Sequence, residues 1–553
     1  MVVPELRPWR AARPHVTRVA NAVRPRLARA GNAVRPRLTR AADAVRPRVA
    51  RAATAAKPQV VRLARAAGPQ LARIPRPKTV KTWQYTATAA TAGLALAASV
   101  VTVAGPWDST GQRTAERDRA AAQERTGGAD HDGAPGVPGG APRPAPSAAS
   151  VLAALGGTSN TVTSAPTGQG LSTTLDPLLK DAALGTRRTA VVVDVATGKR
   201  LYGTGADKAL TPASTTKIAT AVAALSALGA DHRLTTRVAL EPDSRHLVLV
   251  GGGDPTLTAH EDAEGWASLR TLAAETAAAL KKRDIRAVTL SYDTTLYAGP
   301  ELHPIGVNEN LAPVTALMAD EARTDASTSG PVLRVTDPQK DATRKFAGFL
   351  EDHGIRTTSP GPAKATARAE SLATVSSPPL SALVERMLTN SDNDIAEALA
   401  RQTAVASGER ADFDGAGRAI TAQLKKLRLP LSGVGFHDGS GLDRDDRLTA
   451  DLLTSLLVEA GDPSHPDLRP VLTGLPVAGF TGTLTSRYTN GAAGLVRAKT
   501  GTLTGVNTLA GTVVDQDGRL LAFAFLTSNT TDPVAAQAAL DRTATALAAC
   551  GCR

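Results

Sequence analysis

Three short strings constrain this chain more than any other feature: Ser214-Thr-Thr-Lys217, Ser391-Asp-Asn393 and Lys499-Thr-Gly501. They supply a hydroxyl with an amine one helical turn away, a hydroxyl–amide pair, and a cation on a strand. Those are the parts of an acyl-transfer site that uses lysine rather than histidine as its base. Each string is common alone. Together they demand a fold that closes long stretches of chain, since Ser391 lies 174 positions beyond Lys217.

Pro212-Ala213 precedes Ser214, and the run TTKIATAVAALSAL after it has the Ala and Leu content and apolar spacing of a helix. A serine at that start lies beside unpaired backbone N–H groups and the positive end of the dipole. Lys217 shares its face. A lysine becomes a base only where burial or a second cation favours its neutral form, and Lys499 is the candidate second cation. LVERMLTNSDNDIAEALARQ reads as two helices broken at Asn390-Ser391-Asp392-Asn393, residues that suit a helix cap and a catalytic loop equally.

VRAKTGTLT, VNTLAGTVV and RLLAFAFLTS are β-rich, the last two joined by the turn sequence Asp515-Gln-Asp-Gly518. PVAAQAALDRTATALAA follows as a helix. Lys499 is therefore expected on a strand bordering a cleft, with Gly501 letting a substrate backbone approach. An exposed lysine on an edge strand is ordinarily a solubility device; the following Thr500-Gly501-Thr502 gives this one a site. TAVVVDVATGKRLYGTG reads as a hairpin turning at Thr197-Gly198.

The ordered trio, with LVLVGGGDPTL, LAPVTALMAD and the HDGSGLDR stretch from His437 to Arg444, resembles the class C low-molecular-mass penicillin-binding proteins. These are the D-alanyl-D-alanine carboxypeptidase/endopeptidases of peptidoglycan. The resemblance covers about residues 171–553. It implies an α/β (α+β) fold: a penicillin-recognising transpeptidase-like core with an antiparallel sheet between helical layers, and a domain inserted after the nucleophile helix. The interval between the first two strings holds strand-like LVLV, AVTLSYD and VLRVTD. It also holds helical WASLRTLAAETAAALKKR and TRKFAGFLEDHG, and so reads as an inserted α+β domain at roughly 240–375. The same interval separates the family from β-lactamases, where the two strings stand closer together.

Carried over from the family, Ser214 attacks the carbonyl between two D-alanines, Lys217 accepts its proton, and Ser391 relays a proton to the departing amine. Asn393 orients the lysine and the substrate amide. Lys499, Thr500, Gly501 and Thr502 form the substrate-binding strand, its cation matched to the terminal carboxylate. The N–H groups of Ser214 and Thr502 are the expected oxyanion hole. The implied substrates are peptidoglycan stem peptides, and the implied inhibitors are β-lactams. A non-catalytic wall-associated scaffold on the same fold and a β-lactamase are the alternatives; the intact trio opposes the first, and the want of a recognisable deacylating base opposes the second.

No metal or organic cofactor is implied. The nine histidines show no H-x-x-x-H, H-x-H or H-E-x-x-H spacing, and Gly251-Gly-Gly-Asp-Pro255 lacks the Gly-Lys-Ser/Thr of a phosphate loop, so it reads as a turn after a strand. Cys550 and Cys552 are the only cysteines, free to pair with each other or with another chain.

The N-terminal region is a different object. Prolines recur at 14, 25, 36, 47, 58 and 69, and residues 1–81 hold 20 Lys or Arg against Glu5 and Asp43. The chain as a whole carries +13, so the basic excess belongs to this tail (residues 1–82, expected cytoplasmic) and says nothing about the catalytic part. Tyr85 to Gly105 is free of charge, near the ~20 residues that span a bilayer. Residues 83–106 are thus expected to form one transmembrane helix, with the basic flank inside and the catalytic region extracellular. Thr102-Val-Ala104 offers a cleavage alternative; the length of the leader favours a retained single-pass anchor. The tail's composition fits a segment lying on anionic lipid, a plain low-complexity region, or, less in favour, a nucleic-acid binder. Residues 107–170, rich in Ala, Gly, Pro and Ser, read as a flexible spacer.

Overall fold

The structure, a computed structural model, describes residues 166–488 and 491–552. The basic repeats, the expected membrane span and residues 107–165 of the expected spacer lie outside the described residues. Among the described residues no helix is long and apolar enough to cross a membrane.

The chain opens with α1 (Gly168–Leu179), which starts within the stretch read as spacer because Thr167 caps it. Strands β1 (Arg187–Asp194) and β2 (Arg200–Thr204) form the expected hairpin. Helix α2 (Thr216–Leu228) follows. After it come β3 (Thr235–Leu240), β4 (His246–Val250), α3 (Leu269–Lys282), β5 (Ala287–Asp293), α4 (Pro338–Asp352), β6 (Arg356–Pro362) and β7 (Glu370–Ser376). Helices α5 (Leu380–Asn390), α6 (Asn393–Ala406), α7 (Phe413–Lys426) and α8 (Ala450–Gly461) return to the first unit. Three strands close the sheet, β8 (Val496–Leu503), β9 (Val506–Val514) and β10 (Leu520–Ser528), and α9 (Pro533–Ala548) ends the fold.

The core sheet runs β2-β1-β10-β9-β8, every pairing antiparallel. Its apolar runs are continuous rather than alternating because both faces are covered. On β10, Ala522, Ala524 and Leu526 face the cluster built with α2, α5, α6, α7 and α8, whereas Leu521, Phe523 and Phe525 face α1 and α9. Ala522 and Ala524 on one face let α8 lie close to the sheet, and the phenylalanines fill the other face. Helix α2 packs among α5, α6, α7 and α8 and is buried all round from Thr216 to Leu225.

The second sheet, order β6-β5-β4-β3-β7, is built from residues 235–376 and has its own core. The pairs β4–β5 and β5–β6 are parallel, and α3 and α4 supply the crossovers that parallel neighbours require. One reading needs correcting here. VLRVTD is not a strand: Leu333 is left 64% exposed, and Arg334 turns inward to carboxylates. Its only ladder contact is an isolated bridge from Arg334 to Arg323, and Asp337-Pro338 diverts the chain into the capped start of α4. Cys550 and Cys552 are bonded to each other.

Strand β8 depends on one glycine of its neighbour. A Cβ on Gly511 of β9 would lie 2.0 Å from the Arg497 carbonyl oxygen. Gly511→Val is therefore expected to push β8 off β9 and to lower stability by about 1–3 kcal/mol, read as a fall in the midpoint of thermal or denaturant unfolding.

Candidate active site

Ser214 lies in a single 3₁₀ turn, Ala213–Thr215, directly ahead of α2. Ala213 there has φ 48°, a left-handed conformation that a residue with a Cβ keeps only under outside constraint. The constraint is supplied by hydroxyls and glycines. Thr215 and Thr508 of β9 both donate to the Pro212 carbonyl at 2.7 Å. Gly441 and Gly501 allow backbone to close on the turn: a Cβ would fall 2.0 Å from Ala213 O in the first case and 2.7 Å from Pro212 O in the second. Gly501 thus serves internal packing, and the expectation that its vacancy admits substrate is corrected.

Lys217 is fully buried, and its Nζ has three partners: Ser214 Oγ at 2.9 Å, Asn393 Oδ1 at 2.6 Å and the Ser440 carbonyl at 2.7 Å. A neutral amine has two hydrogens and one lone pair. The amide and carbonyl oxygens only accept, so they take the two hydrogens and leave the lone pair for the Ser214 hydroxyl proton. This geometry suits proton abstraction. Burial pulls Lys217 down to about 8, against the opposing pull of Asp438, Glu397, Asp392 and Asp394. Burial, and not the second cation expected from the sequence, is what lowers it. The repulsion between the two lysines shows instead on Lys499, which burial and Lys217 together hold well below its ordinary value.

Ser391 caps α5 in the left-handed region (φ 60°) and accepts from Lys499 Nζ at 2.8 Å. Lys499 also donates to the Thr500 carbonyl at 2.9 Å. It lies on the edge strand as expected, but is fully buried beneath the cleft rather than displayed to solvent. Asn393 is the first residue of α6, behind the capping Asp392. Its Nδ2 donates to the Asn310 carbonyl at 2.8 Å, which leaves Oδ1 for Lys217. Thr500 donates to Thr483 Oγ1 at 3.0 Å, and Thr502 is exposed. Ser214, Ser391, Asn393, Thr500 and Thr502 line one cleft of about 390 Å³, with Asn310, Arg323, Arg334 and Ser329–Pro331 from between the second-sheet strands on its far wall. All eight residues singled out from the sequence are gathered around this cleft.

Several supporting residues went unread in the sequence. Glu397, one helical turn past Asn393 on α6, accepts from the Gly439 and Ser440 N–H groups. Asp438 accepts from Gly441 N, Asp443 N, Ser440 Oγ and the buried His303. Together they fix the loop that aims the Ser440 carbonyl at Lys217. The i,i+4 spacing of Asn393 and Glu397 was a usable signal; His303 and Asn310 carried none, being distant in sequence. Burial alone would raise Asp438, and the hydrogen bond from His303 with the two N–H groups outweighs it and holds the carboxyl low. Glu397 is pushed up to about 7, chiefly by burial and then by Asp438. His303, Glu397 and Asp438 have the proximity of a metal-ligand group, as do Glu321, Asp392 and Asp394. In the first group, backbone and hydroxyl donors already occupy the carboxylates; in the second, guanidinium groups surround them.

Fold and site together have the form of a serine acyl-transfer enzyme. The chain belongs to the D-Ala-D-Ala carboxypeptidase 3 (S13) family, whose profile matches residues 171–331 and 322–548. It is 37% identical over 401 residues to carboxypeptidase DacB of Mycolicibacterium smegmatis, covering 70% of this chain and 85% of that one. It is 30% identical over 445 residues to a D-alanyl-D-alanine carboxypeptidase of Actinomadura, covering 65% and 81%. Among solved structures, penicillin binding protein 4 of Haemophilus influenzae shares the fold at a TM-score of 0.55 and 21% identity, over 68% of this chain and 97% of that one.

With Lys217 titrating at about 8, only the deprotonated form can take the serine proton. The rate of Ser214 acylation is therefore expected to rise with pH through that value, and Lys217→Met to lower it by about 10²–10⁴-fold at every pH. Stopped-flow acylation across the pH range checks both.

Proposed function

We propose that this chain is a serine-type D-alanyl-D-alanine carboxypeptidase acting on peptidoglycan stem peptides, with D,D-endopeptidase action on cross-links as a second use of the same cleft. The observation that carries the reading is the three-partner hydrogen bonding of Lys217, which leaves its lone pair facing Ser214. Family membership and the names of the carboxypeptidase relatives support the substrate class.

In this reading the terminal carboxylate of the substrate settles against Lys499, Thr500 and Thr502 and draws Lys499 to its charged form. A cationic Lys499 in turn disfavours charge on Lys217, so binding primes the base. Ser214 Oγ then attacks the carbonyl of the penultimate D-alanine while its proton passes to Lys217 Nζ. The oxyanion is met by the N–H groups of Ser214 and Thr502. As the C–N bond breaks, Ser391, held by Lys499, relays a proton to the leaving D-alanine amine. Water then cleaves the Ser214 ester and restores the serine hydroxyl. A β-lactam enters the same sequence, but its leaving amine stays tethered to the acyl group. Penicillin binding protein 4 of Haemophilus influenzae has been solved in complex with a novel β-lactam.

The proposed setting is the outer face of a cell membrane. Residues 83–106 would anchor the protein by a single pass, the spacer would carry the enzyme outward, and the basic repeats would rest on anionic lipid inside.

Fluorescent penicillin is expected to label the wild-type protein one-to-one, with slow release, and to leave Ser214→Ala unlabelled. Purified muropeptides are expected to lose terminal D-alanine to the wild type alone. Unlabelled wild-type protein would overturn the reading, and rapid turnover of the penicillin would favour a β-lactamase instead.

A further inference from the structure

The amide of Asn393 has nearly the same shape in either orientation, so its partners decide which atom faces Lys217. The decision is made by the Asn310 carbonyl, which can only accept and so claims Nδ2 at 2.8 Å. Asn310 belongs to the long connection between β5 and α4, far from the catalytic strings in sequence. What holds that connection in place therefore governs the base.

The hold is an ion pair one residue beyond Asn393. Asp394 accepts from the Ala312 N–H at 2.9 Å with one oxygen and meets Arg334 at 2.9 Å with the other. Both side chains are almost wholly buried, at 5% exposure for Arg334 and 1% for Asp394. Arg334 also donates to the Glu321 carbonyl at 2.9 Å, and Glu321 in turn meets Arg323 at 2.8 Å. The residues after Asn310 pack too: Leu311 and Val314 join Phe413 of α7 in a small apolar cluster. The connection is thus seated against α6 and α7, with Arg334 and Asp394 as its polar fastening beside the catalytic amide.

We propose that the Arg334–Asp394 pair is a positioning device through which the inserted domain fixes the Asn393 amide, and with it the hydrogen bonding that readies Lys217. The inference rests on the acyl-enzyme reading given above. If Arg334 is removed, Asp394 loses its nearest counter-charge, with only the more distant Arg323 left to it, and the Ala312–Asn310 segment loses its fastening. The amide is then free to turn Nδ2 toward Lys217. A neutral lysine that must donate both hydrogens finds a donor in the place of an acceptor, and its lone pair is drawn away from Ser214. The loss is one of geometry. It differs from an effect on titration, which burial and the carboxyls of Asp438, Glu397, Asp392 and Asp394 set, with Lys499 and the Asp438-bound His303 the other titratable groups nearby.

The test measures the rate of acylation by fluorescent penicillin against pH, together with thermal melting, for the full chain and the variants Arg334→Ala, Arg334→Lys, Asp394→Asn and the Arg334→Ala/Asp394→Asn double. Arg334→Ala is expected to lower the high-pH plateau by about 10- to 100-fold while the protein remains folded, with Arg334→Lys restoring part of it. The double variant is expected to lose far less than the product of the two single losses, as interacting partners do. A folded Arg334→Ala protein with a wild-type plateau would overturn the inference, even if its profile moved along the pH axis. Should Arg334→Ala not fold, Asp394→Asn, which keeps volume and the Ala312 bond, must show the plateau loss by itself. Wild-type protein that takes up no penicillin would overturn the acyl-enzyme reading and this inference with it.

Discussion

A single buried amine organises this protein. Lys217 lies among two fixed acceptors and one hydroxyl, which leave the lone pair of its neutral form facing Ser214, and removing it from water is what lowers its proton affinity. An uncompensated lysine inside a protein is costly, so the surroundings have to be rigid to keep it there. Much of the architecture reads as the means to that rigidity: a helix buried on all sides, a strained turn clamped by two threonine hydroxyls, and a glycine at each place where backbone closes on that turn.

The three hydrogen-bond partners of Lys217 are each secured from a different part of the fold. The turn that carries Ser214 is held by β9, where Thr508 donates to the Pro212 carbonyl. The Ser440 carbonyl is held by Glu397 and by Asp438, the latter bonded to His303. Asn393 is held by Asn310. Two of these supports, His303 and Asn310, come from the connection within the second sheet unit, which makes that insertion part of the base's environment as well as a wall of the cleft. An insertion that backs Asp438 and Asn393 in this way links the wall of the cleft to the lysine beneath it.

The second lysine divides the electrostatic work. Lys499 is as deeply buried as Lys217, and the two cannot both be comfortably charged. In the proposed reading an incoming carboxylate resolves the conflict by favouring charge on Lys499, and substrate binding and base activation become one electrostatic event.

The sequence by itself determined the chemistry and much of the local structure. Ser214 and Lys217 share a helical face at any spacing of three, the turn at Asp515–Gly518 joins two β-rich runs, and a break at Ser391 follows from residues that prefer caps. These are local properties, set by propensity and periodicity within a few residues. Tertiary structure alone decided the rest. Burial of Lys217 and Lys499, the inward use of Gly501, the turning of Arg334 to Asp394 in a stretch that reads as a strand, and the arrival of His303 and Asn310 behind the site all depend on contacts between distant segments. A proton affinity belongs to an environment rather than to a residue, and that environment exists only once the chain has closed around it.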